Sequence, residues 1–567
     1  MTMTGRVHRP AAILAATLAV SIVFFGSLAP AQAQGPHGAG CLRERLSVYE
    51  KSIVPVASKE RRGTDEMTPP ADPDVGDSWL WYTWLLGGFP VAEEKMCTVR
   101  GRSENVYVVV ENSQWLTNVD QNDVDTILER FENSSIGPYP SQGIWDLNTS
   151  HFGDPPDELD NDPRIYILYY DFDVSSDGFF WFFDEYPDGT QQFASNECEV
   201  VYMNCSDNDP GGDYLIAVAA HEFHHLIHWN YDTNESTWVN EGLAELAMWL
   251  YGRPDNIVGF PSLPDNNLTE WTSGFSDYIK TYLWTLYFFE HYGGQAAVLD
   301  VTHQPANGIV GYDATLNALA YDEDFVDVFS DWVVANFVDD ETFLDGRFGY
   351  AGEDLPTFSS VQQGSYPVGP VAAVVKHYAA DYVKFINGEP QELQFDGTNT
   401  SAFTARAVTY QAGAAQDLID MSLDANQDGA INLGGFGSDY DQVVFVIANI
   451  APGAGSVSYS YLTEAPAAAG DPARPAVLAW LSPEPHPLAP GGRLALRLPD
   501  DGAAARLELF DVLGRRVWDW RGGPSRGDAV IPWDGRGAGG EKLASGVYLA
   551  RLSSGRDRMT ARLVLID

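Results

Sequence analysis

The segment 219–228, A-A-H-E-F-H-H-L-I-H, constrains this chain more than any other, because it contains H-E-x-x-H within apolar surroundings. In an α-helix, residues four apart lie on one face, so His221 and His225 can bind a single metal ion. Glu222 follows the first histidine and is placed to act as a general base toward water at the metal. The pattern favours zinc, which binds imidazole well and keeps one coordination position open in catalytic sites.

A second motif follows at a distance that lets one helix end and another return to it. Residues 237–245 read T-W-V-N-E-G-L-A-E, so Glu241 lies sixteen positions after His225. A carboxylate there would complete a site of two histidines and one glutamate. Glu245, one turn later on the same face, would accept a hydrogen bond from a ligand imidazole and fix its tautomer.

These two motifs resemble those of the gluzincin metallopeptidases, and more closely the A-H-E-F-x-H and W-x-N-E-G-L of the hyicolysin-type secreted bacterial family. The resemblance implies three zinc ligands, one general base and one supporting carboxylate, which are His221, His225, Glu241, Glu222 and Glu245. The thermolysin-like ligand spacing, twenty residues after His225, falls instead on Glu245. An exchange of roles between the two glutamates is therefore the alternative.

Two further histidines lie in the same segment, His224 and His228. His228 falls about 20° from the ligand face at 100° per residue, and we expect it to pack or line the pocket rather than to bind metal. His224 points away from that face and is given no role. A buried helix with stray histidines is the alternative interpretation of the segment.

The N-terminus has the pattern of a secretory signal peptide over residues 1–33. Arg6 and Arg9 precede an apolar run over 11–28, and A-Q-A at 31–33 offers a cleavage site. No other stretch is long and apolar enough to span a bilayer. We expect a bacterial protein that is secreted or held at the cell surface, with no membrane span in its mature chain.

With 567 residues, the chain is predicted to contain several domains. Residues 34–100 are irregular and form either a propeptide or the start of the catalytic domain. We expect an α+β zincin-like catalytic domain with a helical lobe over 101–349. Strands are predicted at 106–111, 164–170 and 197–203, and the third of these would edge the active-site cleft.

The helical lobe is predicted to contain helices over 276–292, 312–320 and 325–337. Enzymes of this kind place a tyrosine or histidine donor at the developing oxyanion. Tyr278, Tyr282 and His291 are residues of the required types in this region, and the sequence does not choose among them.

Short strands and polar turns over 350–463 predict a β-sandwich. Within it, Asp424, Asn426 and Asp428 present oxygen atoms at alternate positions, followed by Gly429, as in a calcium-binding loop. The acidic twelfth position of such a loop is Gly435 here. A calcium site and a plain polar hairpin turn are equally compatible with this pattern.

Residues 464–480 have the composition of a linker, rich in Pro and Ala. The following block, 481–567, contains strand-like alternation interrupted by a D-x-x-G-R turn at 511–515. It resembles the C-terminal immunoglobulin-like domain of type IX-exported proteins and of flagellar hook-capping proteins. The resemblance implies bacterial secretion machinery as a partner.

The charge of the chain is very uneven. Residues 465–567 hold 14 Lys/Arg and 12 Asp/Glu, which leaves 19 basic and 68 acidic residues in the rest. Such an acidic surface repels nucleic acid and anionic membranes, so neither is an expected partner.

Four cysteines, Cys41, Cys97, Cys198 and Cys205, are compatible with two disulfides. A Cys198–Cys205 pair would close a short loop before the ligand helix. Three connectivities are open.

The function predicted from these patterns is a secreted zinc endopeptidase that hydrolyses protein or peptide substrates, with zinc as cofactor and calcium as a second candidate ion. The alternative from another class is a surface adhesin or binding protein that retains the zinc site as a relic. An aminopeptidase would need an acidic motif for the free amine, and no G-x-M-E-N-type signature precedes the ligand helix.

Overall fold

The computed structural model describes residues 70, 72–87, 90–157, 159–466, 479–484, 493–498, 504–511, 515–524, 527–533, 535–554 and 557–565. The predicted signal peptide, residues 34–69 and Cys41 lie outside this part of the chain. The chain divides into two compact units, Met1–Glu464 and Ala465–Asp567, so their junction lies at the start of the Pro/Ala-rich linker.

The first unit begins with a six-stranded sheet in the order β1-β2-β3-β4-β6-β5. Its strands are β1 (Ser78–Leu85), β2 (Val91–Arg102), β3 (Val106–Glu111), β4 (Ile165–Tyr170), β5 (Gly178–Phe180) and β6 (Val200–Asn204). β3, β4 and β6 run parallel, whereas β1, β2 and β5 pair antiparallel. Every residue of β4 and β6 is buried, which explains their continuous apolar sequences.

Two features of this sheet were left open by the sequence. β1 and most of β2 come from the region 34–100, so its part from Ser78 onward belongs to the sheet. Trp79 and Trp81 of β1 alternate inward and pack on Tyr166 of β4, with ring centroids 6.5 and 5.3 Å apart. The predicted strand 197–203 forms as β6, which lies between β4 and the edge strand β5.

The helices are α1 (Gln121–Glu132), α2 (Ile144–Phe152), α3 (Asp213–Tyr231), α4 (Thr237–Tyr251), α5 (Phe275–His291), α6 (Gln295–His303), α7 (Ile309–Ala318) and α8 (Phe325–Val338). Asp120 caps α1 and accepts hydrogen bonds from the amides of Asn122 and Asp123, which confirms the predicted start. α2 and α6 were not predicted. Both are short and begin after a glycine without a side-chain cap, so their sequences carry no start signal.

Residues 361–464 add a β-sandwich of β7 (Val361–Gln363), β8 (Val371–Lys376), β9 (Ala379–Ile386), β10 (Gln391–Gly397), β11 (Phe403–Gln411), β12 (Ala414–Asp420), β13 (Asp428–Leu433), β14 (Gln442–Asn449) and β15 (Ser456–Glu464). Its sheets include β13-β10-β15-β8 and β12-β11-β14. The sandwich packs on the helical lobe: Tyr382 donates to the carbonyl of Val333 at 2.6 Å, and Arg406 pairs with Asp331 at 2.6 Å. The predicted boundary at 349/350 therefore lies inside one compact unit.

The second unit contains β16 (Ala479–Glu484), β17 (Arg493–Leu498), β18 (Ala504–Phe510), β19 (Arg516–Pro524), β20 (Gly527–Pro532), β21 (Gly546–Ser554) and β22 (Asp557–Leu565). They form two antiparallel sheets, β16-β17-β20 and β19-β18-β21-β22. Leu507, Leu509, Trp533 and Leu552 are buried between neighbouring strands and belong to a separate core. The chain is thus multidomain, with mixed α/β and all-β parts.

The cysteine prediction is wrong for the described residues. Cys97, Cys198 and Cys205 are all free and buried. Cys198 and Cys205 flank β6, and its five residues alone span about 16 Å. A disulfide needs Cα atoms within about 7 Å, so the extended strand keeps this pair apart. In the same described part of the chain, no helix has the length and apolarity to cross a membrane.

Candidate metal centre

The two predicted motifs fall on consecutive helices. α3 carries His221 and His225, and every residue from Leu215 to His228 is buried, so this helix runs through the core. Its sequence is correspondingly apolar apart from the histidines and Glu222. The chain turns after Tyr231, and α4 returns with Glu241 and Glu245 one turn apart.

Three side-chain atoms converge between these helices. The Nε2 atoms of His221 and His225 lie 3.1 Å apart, and Glu241 Oε2 lies 3.3 Å from the first and 3.6 Å from the second. The ligand atoms of one tetrahedral zinc ion, at bond lengths of about 2.0–2.2 Å, are about 3.3 Å from each other. A search of the described residues for three or more His, Cys, Asp or Glu side chains close enough to share an ion finds this group.

The remaining ring nitrogens are already engaged, which leaves both Nε2 atoms for a metal. His221 Nδ1 lies 3.3 Å from Glu245 Oε1, and His225 Nδ1 donates to Asn240 Oδ1 at 2.5 Å. Glu241 is fully buried, and neither of its carboxylate oxygens has a hydrogen-bond partner. The Nε2 atoms of His221 and His225 and the carboxylate of Glu241 point to a common centre, and this arrangement fits a zinc ion.

The two glutamates of α4 lie on different sides of His221. Glu241 contacts the Nε2 atoms, whereas Glu245 contacts Nδ1. This arrangement favours Glu241 as the third ligand and Glu245 as the residue that orients the imidazole.

The charges around Glu241 and Glu245 differ as well. Burial alone would raise the pKa of Glu241, but His225 and His221 lower it far below its usual range. Burial raises the pKa of Glu245 in spite of its contact with His221. The two imidazoles therefore keep the Glu241 carboxylate ionised in a buried site.

Asn240 is a site residue whose role the sequence did not reveal. Besides accepting from His225, its side-chain amide donates to His228 Nδ1 at 2.9 Å. His228 is fully buried and thus supports the ligand through Asn240, which extends its predicted packing role. The N-E motif contains Asn240, but no pattern in the sequence indicates which imidazole it contacts.

Glu222 lies beside the edge strand β5. A Cβ atom on Gly178 would lie 3.0 Å from Glu222 Cγ, so a larger residue there would press on the proposed base. Asn148 of α2 donates to the carbonyl of Ala220 at 2.8 Å and so holds α3 at the residue before His221. Neither Gly178 nor Asn148 carried a recognisable signal in the sequence.

The close contact of α4 with α5 depends on Gly242. A Cβ at this position would overlap Thr285 and would lie 2.8 Å from the carbonyl oxygen of Thr281. The absence of a side chain next to Glu241 thus lets α4 pack tightly against α5 and positions Glu241.

The three candidate oxyanion donors have defined positions. Tyr282 donates to Glu353 at 2.6 Å, and His291 Nε2 lies 3.0 Å from the carbonyl oxygen of Gly349. Tyr278 packs edge-on against Trp271. Tyr282 and His291 therefore hold the segment that leaves the helical lobe.

The predicted calcium loop forms the turn before β13. Asp424 Oδ1 accepts from the amides of Asn426 and Asp428, at 2.7 and 3.1 Å, and the Asp424 amide donates to the carbonyl of Asp428 at 2.9 Å. These contacts are those of a polar turn, in which the first carboxylate satisfies backbone amides. Calcium binding there stays a prediction.

No protein-family model matches this chain, and no curated protein matches it. Similar solved structures include two from Porphyromonas gingivalis. PorZ, an essential surface component of the type IX secretion system, shares 19% identity over 19% of this chain and 14% of its own, with a TM-score of 0.13. Dimeric latent PorU shares 17% over 37% and 19%, with a TM-score of 0.15.

A β-glucuronidase from Ruminococcus gnavus shares 9% identity over 33% of this chain and 36% of its own, with a TM-score of 0.12. The chain thus spans less than a fifth of PorZ or PorU and about a third of the glucuronidase. Likeness at such low TM-scores carries no argument about fold or function, so the functional argument depends on the metal centre itself.

Proposed function

We propose that this chain is a secreted zinc-dependent endopeptidase. The observation that carries the proposal is the triangle of His221 Nε2, His225 Nε2 and Glu241 Oε2, with sides of 3.1, 3.3 and 3.6 Å. These atoms would hold the zinc ion. When bound, zinc supplies a Lewis acid that polarises the scissile carbonyl and lowers the pKa of water at the site.

The residues around the ion have distinct tasks. Glu222 accepts a proton from the attacking water and delivers it to the nitrogen of the leaving amine. Glu245 and Asn240 hold the two imidazoles with their Nε2 lone pairs toward the metal. The low exposure of the site strengthens each of these interactions, since His221 is 3% exposed and Glu222, His225 and Glu241 are 0% exposed.

The adhesin alternative treats the zinc site as a relic. A relic has no need of a general base, yet Glu222 stands beside intact ligands and opposite a glycine that leaves room for its side chain. The outer contacts of Glu245 and Asn240 are also present, and their loss would not harm a binding protein. These observations support the enzyme.

The choice of endopeptidase over aminopeptidase depends on the sequence, which lacks the acidic motif for a free amine. Export is part of the proposal: the signal-like N-terminus and the C-terminal block that resembles a type IX sorting domain would direct the protein through bacterial secretion machinery. The substrates would then be extracellular proteins or peptides.

The test is metal analysis combined with a casein cleavage assay on purified full-length protein. We expect one zinc per chain by mass spectrometry, and cleavage that stops with a zinc chelator and returns with added zinc. Internal cleavage sites in the products would separate an endopeptidase from an aminopeptidase. Bound zinc without cleavage of any protein substrate would favour the adhesin.

A further inference from the structure

The edge strand β5 lies directly beside the proposed general base. A Cβ atom on Gly178, its first residue, would lie 3.0 Å from Glu222 Cγ and 3.1 Å from the carbonyl oxygen of Tyr202 in β6. β5 has three residues and one neighbouring strand in the sheet, β6. Backbone pairing holds so short an edge strand weakly, so its position next to Glu222 depends on further contacts.

The first of these contacts joins the segment after β5 back to β6. Asp184 lies in the short 3₁₀ helix Phe182–Glu185, which follows β5, and it is fully buried. Its Oδ2 atom accepts a hydrogen bond from the hydroxyl of Tyr202 at 2.6 Å. The ring of Tyr202 stacks on Phe179 of β5 with centroids 4.6 Å apart, and the two residues also pair in the sheet. Tyr202 therefore contacts β5 through its backbone and ring, and the segment after β5 through its hydroxyl.

Asn196 extends this network to the opposite edge of the sheet. Its side-chain amide donates to the Tyr202 hydroxyl at 2.7 Å and to the carbonyl of Tyr82 in β1 at 3.0 Å. Its Oδ1 atom accepts from the Tyr82 amide at 2.9 Å. The backbone amide of Asn196 donates to Asp184 Oδ1 at 2.6 Å. Side chains thus connect the edge strand β1 to the segment that follows the edge strand β5.

Each polar group of this network has a partner within it. The Tyr202 hydroxyl donates once and accepts once, both carboxylate oxygens of Asp184 accept, and the Asn196 side chain uses its nitrogen and its oxygen. Trp84 of β1 also packs on Trp181, the residue after β5, with ring centroids 4.4 Å apart. A fully satisfied buried network is rigid, because a displacement would leave donors or acceptors unpaired.

We propose that Asp184, Asn196 and Tyr202 are positioning residues of the enzyme, and that they hold β5 against Glu222. This inference rests on the proposed function, in which Glu222 is the general base. A shift of β5 would move Gly178 and let the Glu222 side chain take other rotamers, and a misplacement of about 1 Å can lower turnover by about 100-fold. The proposed zinc ligands lie on α3 and α4, so metal binding should be unaffected.

The test compares two tyrosines of the same sheet in the full-length protein. Tyr202→Phe removes the hydroxyl and keeps the ring on Phe179. The matched control is Tyr107→Phe in β3, because the Tyr107 hydroxyl also donates to a buried aspartate, Asp162, at 2.7 Å and accepts from Arg164 at 3.3 Å. β3 lies three strands from β5, a distance of about 14 Å. Both variants lose a similar set of hydrogen bonds, so a purely structural effect should be equal in the two.

We expect Tyr202→Phe to lower kcat for a peptide substrate by about 10- to 100-fold with KM and zinc content unchanged, because only the base is displaced. Tyr107→Phe should keep the kcat of the unaltered protein. Hydrogen exchange, measured by mass spectrometry, needs no substrate: amides over 178–186 should exchange faster in Tyr202→Phe than in Tyr107→Phe. If Tyr202→Phe does not fold, Asn196→Ala, at a half-buried position, replaces it in the same comparison.

Three outcomes would overturn the proposal: equal kcat in the two variants, a lowered zinc content in Tyr202→Phe, or equal exchange over 178–186. Each of these leaves the peptidase proposal standing. Failure of the proposed function would show itself in another way, as zinc-loaded unaltered protein that cleaves no substrate. That result would also remove the role of Glu222 on which the positioning depends.

Discussion

Glu241 and Glu199 are both almost completely buried, yet their pKa values are shifted in opposite directions. They are 0% and 1% exposed, and each faces one kind of partner, the imidazoles of His221 and His225 for Glu241 and the carboxyl group of Asp160 for Glu199. The pKa of Glu241 is nevertheless lowered, because His225 and His221 outweigh its burial. The pKa of Glu199 is raised, because burial acts in the same direction as the neighbouring Asp160.

The difference shows that the neighbouring side chains determine whether a buried carboxyl group is ionised or neutral. Two imidazoles and one carboxylate form a mixed nitrogen and oxygen ligand set, which favours zinc. Two facing carboxyl groups can share one proton, and burial together with Asp160 keeps Glu199 in its neutral form. The first region could therefore hold a metal ion, whereas the second keeps a buried carboxyl group neutral.

The largest effect is expected at Glu222, which lies next to the candidate metal centre but is not one of its three proposed ligands. Glu222→Gln should lower the turnover of a peptide substrate by about 100- to 10,000-fold, because the general base is lost. Zinc content, measured by mass spectrometry, should stay at the level of the unaltered protein. Glu104→Gln, an exposed change in the turn between β2 and β3, serves as the control. Full activity of Glu222→Gln would contradict the mechanism.

The same substitution should behave differently at the two glutamates of α4. Glu241→Gln removes a ligand, so its zinc affinity should fall by more than the 10- to 100-fold typical of losing an outer partner. Glu245→Gln keeps an acceptor oxygen for His221 Nδ1 and removes only the negative charge, so its loss of affinity should stay within that range. Competition with a zinc-binding dye measures both affinities. A greater loss in Glu245→Gln would mean that the two roles are exchanged.

A smaller effect is expected at Asn240, which connects His225 to His228. Asn240→Ala should weaken zinc binding by about 10- to 100-fold, since His225 loses the acceptor that fixes its ring. Asn240→Asp keeps the acceptor oxygen and should recover most of the affinity. Equal losses of zinc affinity in both variants would show that the contact of the Asn240 side-chain oxygen with His225 does not contribute to zinc binding.

The smallest effect on catalysis is expected from the second unit. A chain that ends at Gly470 lacks that unit and keeps the whole first unit with the metal centre, so its activity and zinc content should be unchanged. Its export or retention at the cell surface should fail if residues 481–567 act in sorting. Lost activity in a well-folded truncated protein would place the second unit in the enzyme.

Much of the local structure could be predicted from the sequence. Helical spacing places His221 and His225 on one face, Asp120 marks the start of α1, and apolar runs identify β3 and β4. These signals depend only on residues within a few positions of each other, so they can be identified from the sequence. β1 was missed, because its alternating tryptophans lie in a segment without clear boundaries.

The sequence by itself determined which residues could bind zinc and act as base, since both depend on one helix and a motif sixteen residues further on. Only the tertiary structure decided that Glu241 faces the Nε2 atoms, that Glu245 faces Nδ1 and that Asn240 reaches two histidines. It also brought Asp160 to Glu199 through the pairing of β4 with β6. Contacts of this kind depend on how helices pack and on strand register, and both are set by the whole core rather than by any short pattern.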